Sequence, residues 1–319
     1  MNNKPSLLFA VLLVLTTGVR ATSFGVALSP VRRNRIALPA VATEAQAMPR
    51  PAMFREVPGR GLLIRTWVNG AGPFSFAIDT GAGATLLSTR VVDEGQVQIR
   101  NARRASIAGL SGVSVSATAA TIRSLAIGDR ENYLPAKGLA MITSGLPRDI
   151  DGVLDPTESF APLGYVIDIP RHEISAFDSH ELSLRTDKQS AEGAVVPWLR
   201  ESHGRRPFVQ LDNGDRALLD TGSNLGLAIR DLSPGSQRIS GYAVRDVGGG
   251  SVSARRGRPT TVAVGSLTLR NIPTDLISGA EVGAPVLLGL NALRPFRLRF
   301  DPVHRLIEIT PGPNARSRD

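Results

Sequence analysis

The sequence contains no cysteine, which excludes disulfide bonds, cysteine nucleophiles and thiolate metal sites. Aromatic residues make up only 5% of its 319 residues, so a core has to be built mainly from Val, Leu, Ile and Ala. Histidine is also scarce, and His172, His180, His203 and His304 lack the spacing of a metal site. Satisfied or surface histidines are the favoured interpretation, and the sequence predicts no cofactor.

Other functional signals are missing as well. No Gly-x-Ser-x-Gly elbow occurs, and the glycine clusters lack the lysine and the spacing of a phosphate-binding loop. The net charge is +9, but no basic segment is interleaved with aromatic residues, so no nucleic-acid partner is predicted. A solvated basic surface explains this charge. The alternatives are adhesion to anionic envelope polymers and a preference for acidic substrates.

The first residues carry a targeting signal. Lys4 precedes the apolar run 7–15, and small residues then lead to Ala21. A basic start, a short apolar segment and a small-residue end are typical of a secretory signal peptide, predicted here over residues 1–21. The protein is therefore expected to be exported, either periplasmic or secreted, with no membrane span after signal cleavage. An uncleaved N-terminal anchor is the alternative.

An internal duplication organises the rest of the chain. Two Asp-Thr-Gly motifs place Asp79 and Asp220 at a separation of 220 − 79 = 141 residues. Three further pairs of segments recur in the same order at offsets of 137, 134 and 133: Leu125–Gly128 with Val262–Gly265, Gly152–Asp155 with Val286–Gly289, and Tyr165–Asp168 with Leu298–Asp301. Four ordered landmarks at a nearly constant offset indicate two copies of one unit.

The duplication defines the predicted domains. A leader arm (22–58) precedes an N-terminal lobe (60–185), and a polar linker (186–193) leads into a C-terminal lobe (192–312) and a tail (313–319). Glycine and proline total 32 + 22 = 54 residues without a fixed period, which favours many short strands joined by turns. Apolar residues alternate at Phe74, Phe76 and Ile78 with a period of two. The predicted class is all-β, with two similar lobes.

The repeated motif suggests a pair of acids. Each aspartate follows an apolar strand and precedes a glycine that lets another backbone approach closely. If the two turns meet, their like charges cannot both ionise, and the carboxyls share one proton. One member then takes a proton from water while the other polarises a carbonyl, without a metal. A single Asp-Thr-Gly is ordinary turn chemistry, but two copies at equivalent points of a repeat favour a catalytic pair.

The segments Phe76–Thr85 and Leu218–Ser223 resemble the active-site motifs of aspartic peptidases. Over residues 60–312 the chain resembles bacterial retropepsin-like aspartyl proteases, with both lobes fused in one chain as in pepsins. The resemblance implies β-barrel lobes of the acid-protease type, related by a pseudo-twofold axis, with a cleft between them. It also implies hairpin flaps over an extended polypeptide substrate, and a monomer that is an intramolecular pseudo-dimer. The glycine-rich segments 109–112 and 248–250 lie where such flaps belong, although ordinary mobile turns explain them equally well.

The resemblance also assigns roles to residues. Asp79 and Asp220 would be catalytic, supported by Thr80, Gly81, Thr221, Gly222 and Ser223. Three departures from the family pattern stand out. Asp155 occupies a position where the pattern has glycine, as Gly289 does in the second copy. Ala82 lacks the hydroxyl of Ser223, so the two aspartates should differ, and neither flap holds a clear tyrosine, Tyr242 lying near the second.

These observations support one main hypothesis and two alternatives. The main hypothesis is an aspartic endopeptidase that hydrolyses peptide bonds with water activated between Asp79 and Asp220. The first alternative is a weakly active or inactive protein of the same fold that binds peptides or envelope components. The second is a basic scaffold that adheres to anionic polymer, whose binding would depend on salt but not on Asp79.

Overall fold

A computed structural model describes residues 8–10, 14–15, 47–136, 138–182, 184, 193–201, 204–231 and 241–312. His203, the tail 313–319, nearly all of the linker 186–193 and residues 22–46 of the leader arm lie outside this part of the chain. The described residues are mostly β-strand with short helices, which confirms the predicted all-β class. No helix among them is long and apolar enough to cross a bilayer.

The N-terminal lobe is built on one sheet whose strands follow the order β10-β5-β6-β12-β7-β11-β9-β8-β2, with β4 paired to β5. Its buried face includes Phe74, Phe76 and Ile78, the alternating residues that predicted the strand before Asp79. The elements up to the end of this lobe are β1 (Leu8–Ala10), β2 (Val14–Leu15), β3 (Ala52–Met53), β4 (Arg55–Val57), β5 (Gly61–Val68), β6 (Ala71–Ile78), β7 (Leu86–Leu87), α1 (Thr89–Glu94), β8 (Gln98–Ala108), β9 (Ser114–Thr121), β10 (Leu125–Ile127), β11 (Leu139–Ile142), β12 (Gly152–Leu154), α2 (Pro156–Ser159), β13 (Gly164–Asp168) and β14 (Glu173–Phe177).

The C-terminal lobe repeats this plan in a sheet of order β1-β19-β20-β23-β18-β24-β17-β16, beside the separate hairpin β21-β22. Its elements are β15 (Ala194–Pro197), β16 (Phe208–Gln210), β17 (Arg216–Asp220), β18 (Leu227–Arg230), β19 (Tyr242–Asp246), β20 (Ser251–Arg256), β21 (Thr260–Val264), β22 (Leu267–Ile272), β23 (Thr274–Ser278), β24 (Val286–Gly289), α3 (Leu290–Leu293), β25 (Phe296–Asp301) and β26 (Leu306–Pro311).

A third sheet, of order β15-β26-β25-β13-β14-β3, joins the lobes. At its centre β13 of the first lobe pairs antiparallel with β25 of the second, so that Tyr165 faces Phe300 and Ile167 faces Leu298. The rings of Tyr165 and Phe300 stack with their centroids 4.7 Å apart, and both side chains are fully buried. Because β13 and β25 occupy equivalent places in the repeat, the pseudo-twofold axis that relates the lobes passes between these two strands.

Matching crossovers place the two motif loops. Strand β6 runs parallel to β12, and β17 runs parallel to β24. Leu154 lies opposite Ile78, and Leu288 lies opposite Leu219. Each of the two partner strands then leads directly into a short helix. As a result Asp155 and Gly289 occupy equivalent positions, as the residues that cap the N-termini of α2 and α3.

Two strands lie in the segment predicted to be a signal peptide. Strand β1 pairs in parallel with β19, and β2 pairs antiparallel with β8. Strands β8 and β19 each open a long hairpin, completed by β9 and β20. The backbone of residues 8–15 therefore runs, where described, beside the two hairpins that carry the glycine-rich turns.

Candidate active site

Asp79 and Asp220 lie side by side at the interface of the lobes. Asp79 directly follows β6, Asp220 ends β17, and both are completely buried. A Cβ added to Gly81 would lie 2.8 Å from the carboxyl carbon of Asp220, and one added to Gly222 would overlap the carboxyl of Asp79. Each glycine thus makes room for the aspartate of the other lobe. The fold brings together two carboxyls that are 141 residues apart in sequence.

Backbone N–H groups hold the two carboxylates unequally. Oδ1 of Asp79 accepts a hydrogen bond from the N–H of Gly81 at 2.7 Å. Oδ1 of Asp220 accepts two, from Gly222 at 3.0 Å and from Ser223 at 3.1 Å. Beyond the contact between the carboxyls themselves, Oδ2 of each has no hydrogen-bond partner among the described residues. The protein therefore fixes Oδ1 of each aspartate through backbone N–H groups, whereas it does not hold Oδ2 in this way.

This environment separates the two pKa values. Burial, together with the charge of Asp220, raises the pKa of Asp79 well above its usual value. Burial also raises the pKa of Asp220, to about 6. The hydrogen bonds that Asp220 makes with Asp79 and with the N–H groups of Gly222 and Ser223 lower this pKa and so limit the rise. The positive charge of Arg206 lowers the pKa of Asp220 further. The carboxylate of Asp220 accepts two backbone N–H groups against one for Asp79, which favours Asp220 as the member of the pair that ionises first.

Two threonines lock the loops beneath the carboxyls. The N–H of Thr80 donates to Oγ1 of Thr221, and the N–H of Thr221 donates to Oγ1 of Thr80, both at 3.1 Å. Each hydroxyl in turn donates to the strand of the opposite lobe, Thr80 to the carbonyl of Leu219 at 2.6 Å and Thr221 to that of Ile78 at 3.0 Å. These four hydrogen bonds tie each motif loop to the opposite lobe.

Each lobe carries one of the two glycine-rich turns at the tip of a hairpin. The turn 109–112 joins β8 to β9, and the turn 248–250 belongs to the β19–β20 hairpin. Their tips meet, because the N–H of Ser111 donates to Oδ2 of Asp246 at 2.8 Å. Leu110 of the first hairpin packs into an apolar cluster of the second lobe, and Val247 of the second packs into a cluster of the first. We call this interlocked pair of tips the flap latch.

Two of the sequence departures have a structural explanation. The difference between Ala82 and Ser223 does not act through a hydroxyl bonded to Asp220. Oγ of Ser223 instead accepts from the N–H of Leu225 at 3.4 Å, and it is the backbone N–H of Ser223 that reaches the carboxylate. Tyr242 opens the second hairpin, where its hydroxyl donates to Oδ1 of buried Asp275 at 2.5 Å. This tyrosine anchors the base of the hairpin.

The sequence did not single out several residues of this region. Arg206 was counted only as part of the solvated basic surface, yet it is nearly buried and its charge reaches Asp220. Asp246 gave no signal beyond its place next to a glycine cluster. Within the described ranges, no group of three or more His, Asp or Glu side chains is arranged to hold a metal ion. The titratable chemistry of the cleft lies in its carboxyl groups.

Comparison with known proteins agrees with this geometry. A family model described as "gag-polyprotein putative aspartyl protease" matches residues 64–140, which include the first Asp-Thr-Gly motif. The crystal structure of the aspartic proteinase from Irpex lacteus superposes with a TM-score of 0.54 at 13% sequence identity, covering 84% of this chain and 98% of that one. No curated protein sequence matches.

Fold and motif together define an aspartyl protease architecture in a single chain. The first lobe carries the sequence match, and both lobes share the pepsin-like fold. The first Asp-Thr-Gly motif therefore lies within an aspartyl protease family match, and the fold of the chain is that of a pepsin-like aspartic proteinase.

Proposed function

We propose that this protein is an aspartic endopeptidase that hydrolyses peptide bonds in extended polypeptides, with Asp79 and Asp220 as its catalytic residues. One observation carries the proposal. Two buried carboxyls from equivalent loops adjoin each other, each with Oδ1 fixed by backbone N–H groups and Oδ2 without a further hydrogen-bond partner among the described residues. Such a pair holds one proton between two like charges, which is the state that acid/base catalysis needs.

The inequality of the two carboxyls assigns their roles. Asp220, ionised first, accepts a proton from water as the water oxygen attacks the carbonyl carbon of the peptide. Asp79, which holds the shared proton, donates it to the carbonyl oxygen, giving a neutral tetrahedral diol. The proton on Asp220 then passes to the amide nitrogen while a diol hydroxyl returns its proton to Asp79. The C–N bond breaks, and the pair regains its starting protonation.

The test is replacement of each aspartate by asparagine, which keeps the shape and removes the acid. Asp79→Asn and Asp220→Asn should each reduce cleavage of an unfolded polypeptide and of a peptide library by at least about 10³-fold. Asp93→Asn is the matched control, because Asp93 is exposed and lies away from the cleft on α1. Full activity in either dyad variant would overturn the proposal.

Two other outcomes are informative. Tight peptide binding without turnover, unchanged from acid to neutral pH, would favour a peptide-binding protein on the same fold. Binding to anionic polymer that weakens with salt and is unchanged in Asp79→Asn would favour a basic scaffold that adheres to such polymers. A peptide with a secondary hydroxyl in place of the scissile carbonyl should inhibit only the endopeptidase, because it resembles the tetrahedral diol.

Export is a further part of the proposal. It is supported by Lys4, the apolar run 7–15 and the small residues that end at Ala21. Cell fractionation and N-terminal sequencing of the mature protein test it. A mature chain that begins shortly after residue 21 is the expected result, and a chain that still starts at Met1 in the cytoplasm would contradict it.

A further inference from the structure

A third buried carboxyl lies behind Asp79. Asp155 is only 2% exposed and directly follows Leu154, whose carbonyl accepts the N–H of Asp79 at 3.0 Å. In the second lobe the same position is Gly289, where an added Cβ would lie 2.8 Å from the carbonyl oxygen of Ser223 and closer still to that of Leu225. The second half-site has no room for any side chain there. The first half-site contains a carboxylic acid.

The Asp155 carboxyl is fixed in place. Its Oδ1 accepts the N–H of Thr157 at 2.9 Å, which caps the N-terminus of α2. Its backbone N–H donates to Oγ1 of Thr85 at 3.3 Å, and Thr85 lies in the segment that leads out of the first Asp-Thr-Gly motif. The hydroxyl of Thr85 also lies 3.3 Å from that of Ser159 in α2, within hydrogen-bond distance. Asp155 and α2 are thereby tied to the loop that carries Asp79.

Titratable and charged groups face Asp155 from the neighbouring elements. Glu158 faces it from α2, Arg205 from the segment before β16, Asp79 from the motif loop, and Tyr165 from β13 through Thr157. Burial, reinforced by the charge of Glu158, raises the pKa of Asp155 to about 7, and Arg205 opposes this shift. The charge of Asp155 in turn contributes to the raised pKa of Asp79.

A surface pocket adjoins this cluster. It has a volume of about 280 Å³ and is lined by Thr157, Trp198, Arg205 and Arg305, among others. The N–H of Thr157 donates to the carboxyl of Asp155. Two residues of the Asp155 environment, Thr157 and Arg205, therefore line this pocket, while Asp155 itself is buried.

We propose that Asp155 is a positioning residue of the first half-site, and that its carboxylate, once ionised near and above neutral pH, extends the working range of the dyad toward higher pH. The dyad acts while it holds one proton. A negative charge behind Asp79 opposes the loss of that proton as the pH rises. The kinetic part of this inference rests on the proposed endopeptidase function, whereas the coupling between Asp155 and Asp79 does not.

The first experiment is the pH profile of kcat/KM for the wild type and for Asp155→Asn. Asparagine keeps an oxygen that can cap α2 but removes the charge. The upper limb of the profile should move to lower pH by roughly 0.5–1 unit, the size expected of a like charge acting across the protein interior. The rate at the acidic end should stay within about twofold. Asp155→Gly, the residue of the second lobe, should give the same shift with a lower melting temperature, because it also loses the cap.

The second experiment needs no catalysis. Carboxyl ¹³C NMR should show Asp79 losing its proton at lower pH in Asp155→Asn than in the wild type. An unchanged titration of Asp79 would overturn the inference whatever the cleavage assays give, and so would a pH profile that Asp155→Asn leaves in place. A shifted titration in a protein that cleaves nothing would support the coupling and reject the endopeptidase function.

Discussion

Thr80 and Thr221 exchange hydrogen bonds across the lobes, the N–H of each donating to the hydroxyl of the other at 3.1 Å. Both residues are buried, so every one of these groups would carry a desolvation cost if its partner were lost. The exchange fixes the two motif loops relative to each other directly beneath Asp79 and Asp220. The geometry of the carboxyl pair is thus held by a neutral, symmetric set of bonds rather than by the carboxyls themselves.

Removing one threonine hydroxyl should destabilise the whole chain. Thr80→Val keeps the side-chain shape but leaves the N–H of Thr221 and the carbonyl of Leu219 without their buried partner. We expect a loss of about 2–4 kcal/mol in the free energy of unfolding, measured by urea denaturation. Thr80→Ser, which retains the hydroxyl, is the control and should lose less than half as much. Equal losses in both variants would mean that packing, not hydrogen bonding, is responsible.

A methyl group at Gly222 should spread the carboxyl pair. The Cβ of Gly222→Ala would overlap the carboxyl of Asp79, so the two aspartates have to move apart. Cleavage should fall by about 10²-fold or more, since displacements near 1 Å at a reacting centre have effects of this size. Gly138→Ala is the control, because a Cβ at Gly138 meets no atom within 4 Å. Wild-type rates in Gly222→Ala would contradict the close packing of the two loops.

The flap latch should open when Asp246 loses one acceptor oxygen. In the wild type its carboxylate accepts from the N–H of Ser111 and from that of Gly250, at 2.8 and 3.1 Å. Asp246→Asn offers one oxygen to two donors, so the N–H of Ser111 should exchange with solvent deuterium roughly tenfold faster or more. Ser251→Ala, at an exposed position in the same hairpin, should leave this exchange unchanged. Unaltered protection in Asp246→Asn would show that the latch holds by apolar packing alone.

Stability should fall as the pH rises from 5 to 7. The pKa of Asp220 in the folded protein is about 6, and burial and the charge of Asp220 raise the pKa of Asp79 well above its usual value. In the unfolded chain both groups ionise near pH 4, so across this window the unfolded state binds fewer protons and is favoured by increasing pH. Each group contributes up to roughly 1.4 kcal/mol per pH unit. Urea denaturation of the wild type and of Asp79→Asn measures the effect.

The stability of the Asp79→Asn variant should depend less steeply on pH than that of the wild type, because the variant lacks one of the carboxyls whose pKa is raised. Asp93→Asn, at an exposed site, should follow the wild type throughout. A wild-type stability that increases between pH 5 and 7 would exclude raised pKa values in the pair.

The sequence predicted the fold class and the position of the carboxyl pair because both depend on local patterns. The alternation at Phe74, Phe76 and Ile78 reflects which face of β6 is buried, and that alternation is visible in any single sequence. The repeat then pairs Asp79 with Asp220 by equivalence, without knowledge of the packing. The same comparison placed Asp155 opposite Gly289, and both do cap short helices.

Other features depend on which segments meet, and no local pattern contains this information. Arg206 reaches Asp220 because the segment before β16 lies against β17, where the N–H of Leu219 donates to the carbonyl of Pro207 at 2.9 Å. The bond between Ser111 and Asp246 joins residues 135 positions apart. The inequality of the two aspartates was predicted from the hydroxyl of Ser223, but the structure attributes it to a backbone N–H, which every residue except proline possesses.

The sheet that joins the lobes holds them together through contacts that do not involve the covalent link between them. Strands β13 and β25 pair along four residues, the rings of Tyr165 and Phe300 stack between them, and the threonine exchange lies above. A chain divided between Phe177 and Ala194 would retain all of these contacts, so two fragments made separately could complement each other. Either fragment alone would present a bare strand edge in place of its partner, and such an edge pairs readily with another copy of itself. The two lobes of this single chain must therefore pair with each other rather than with copies of themselves, as the subunits of a dimer of two different chains must.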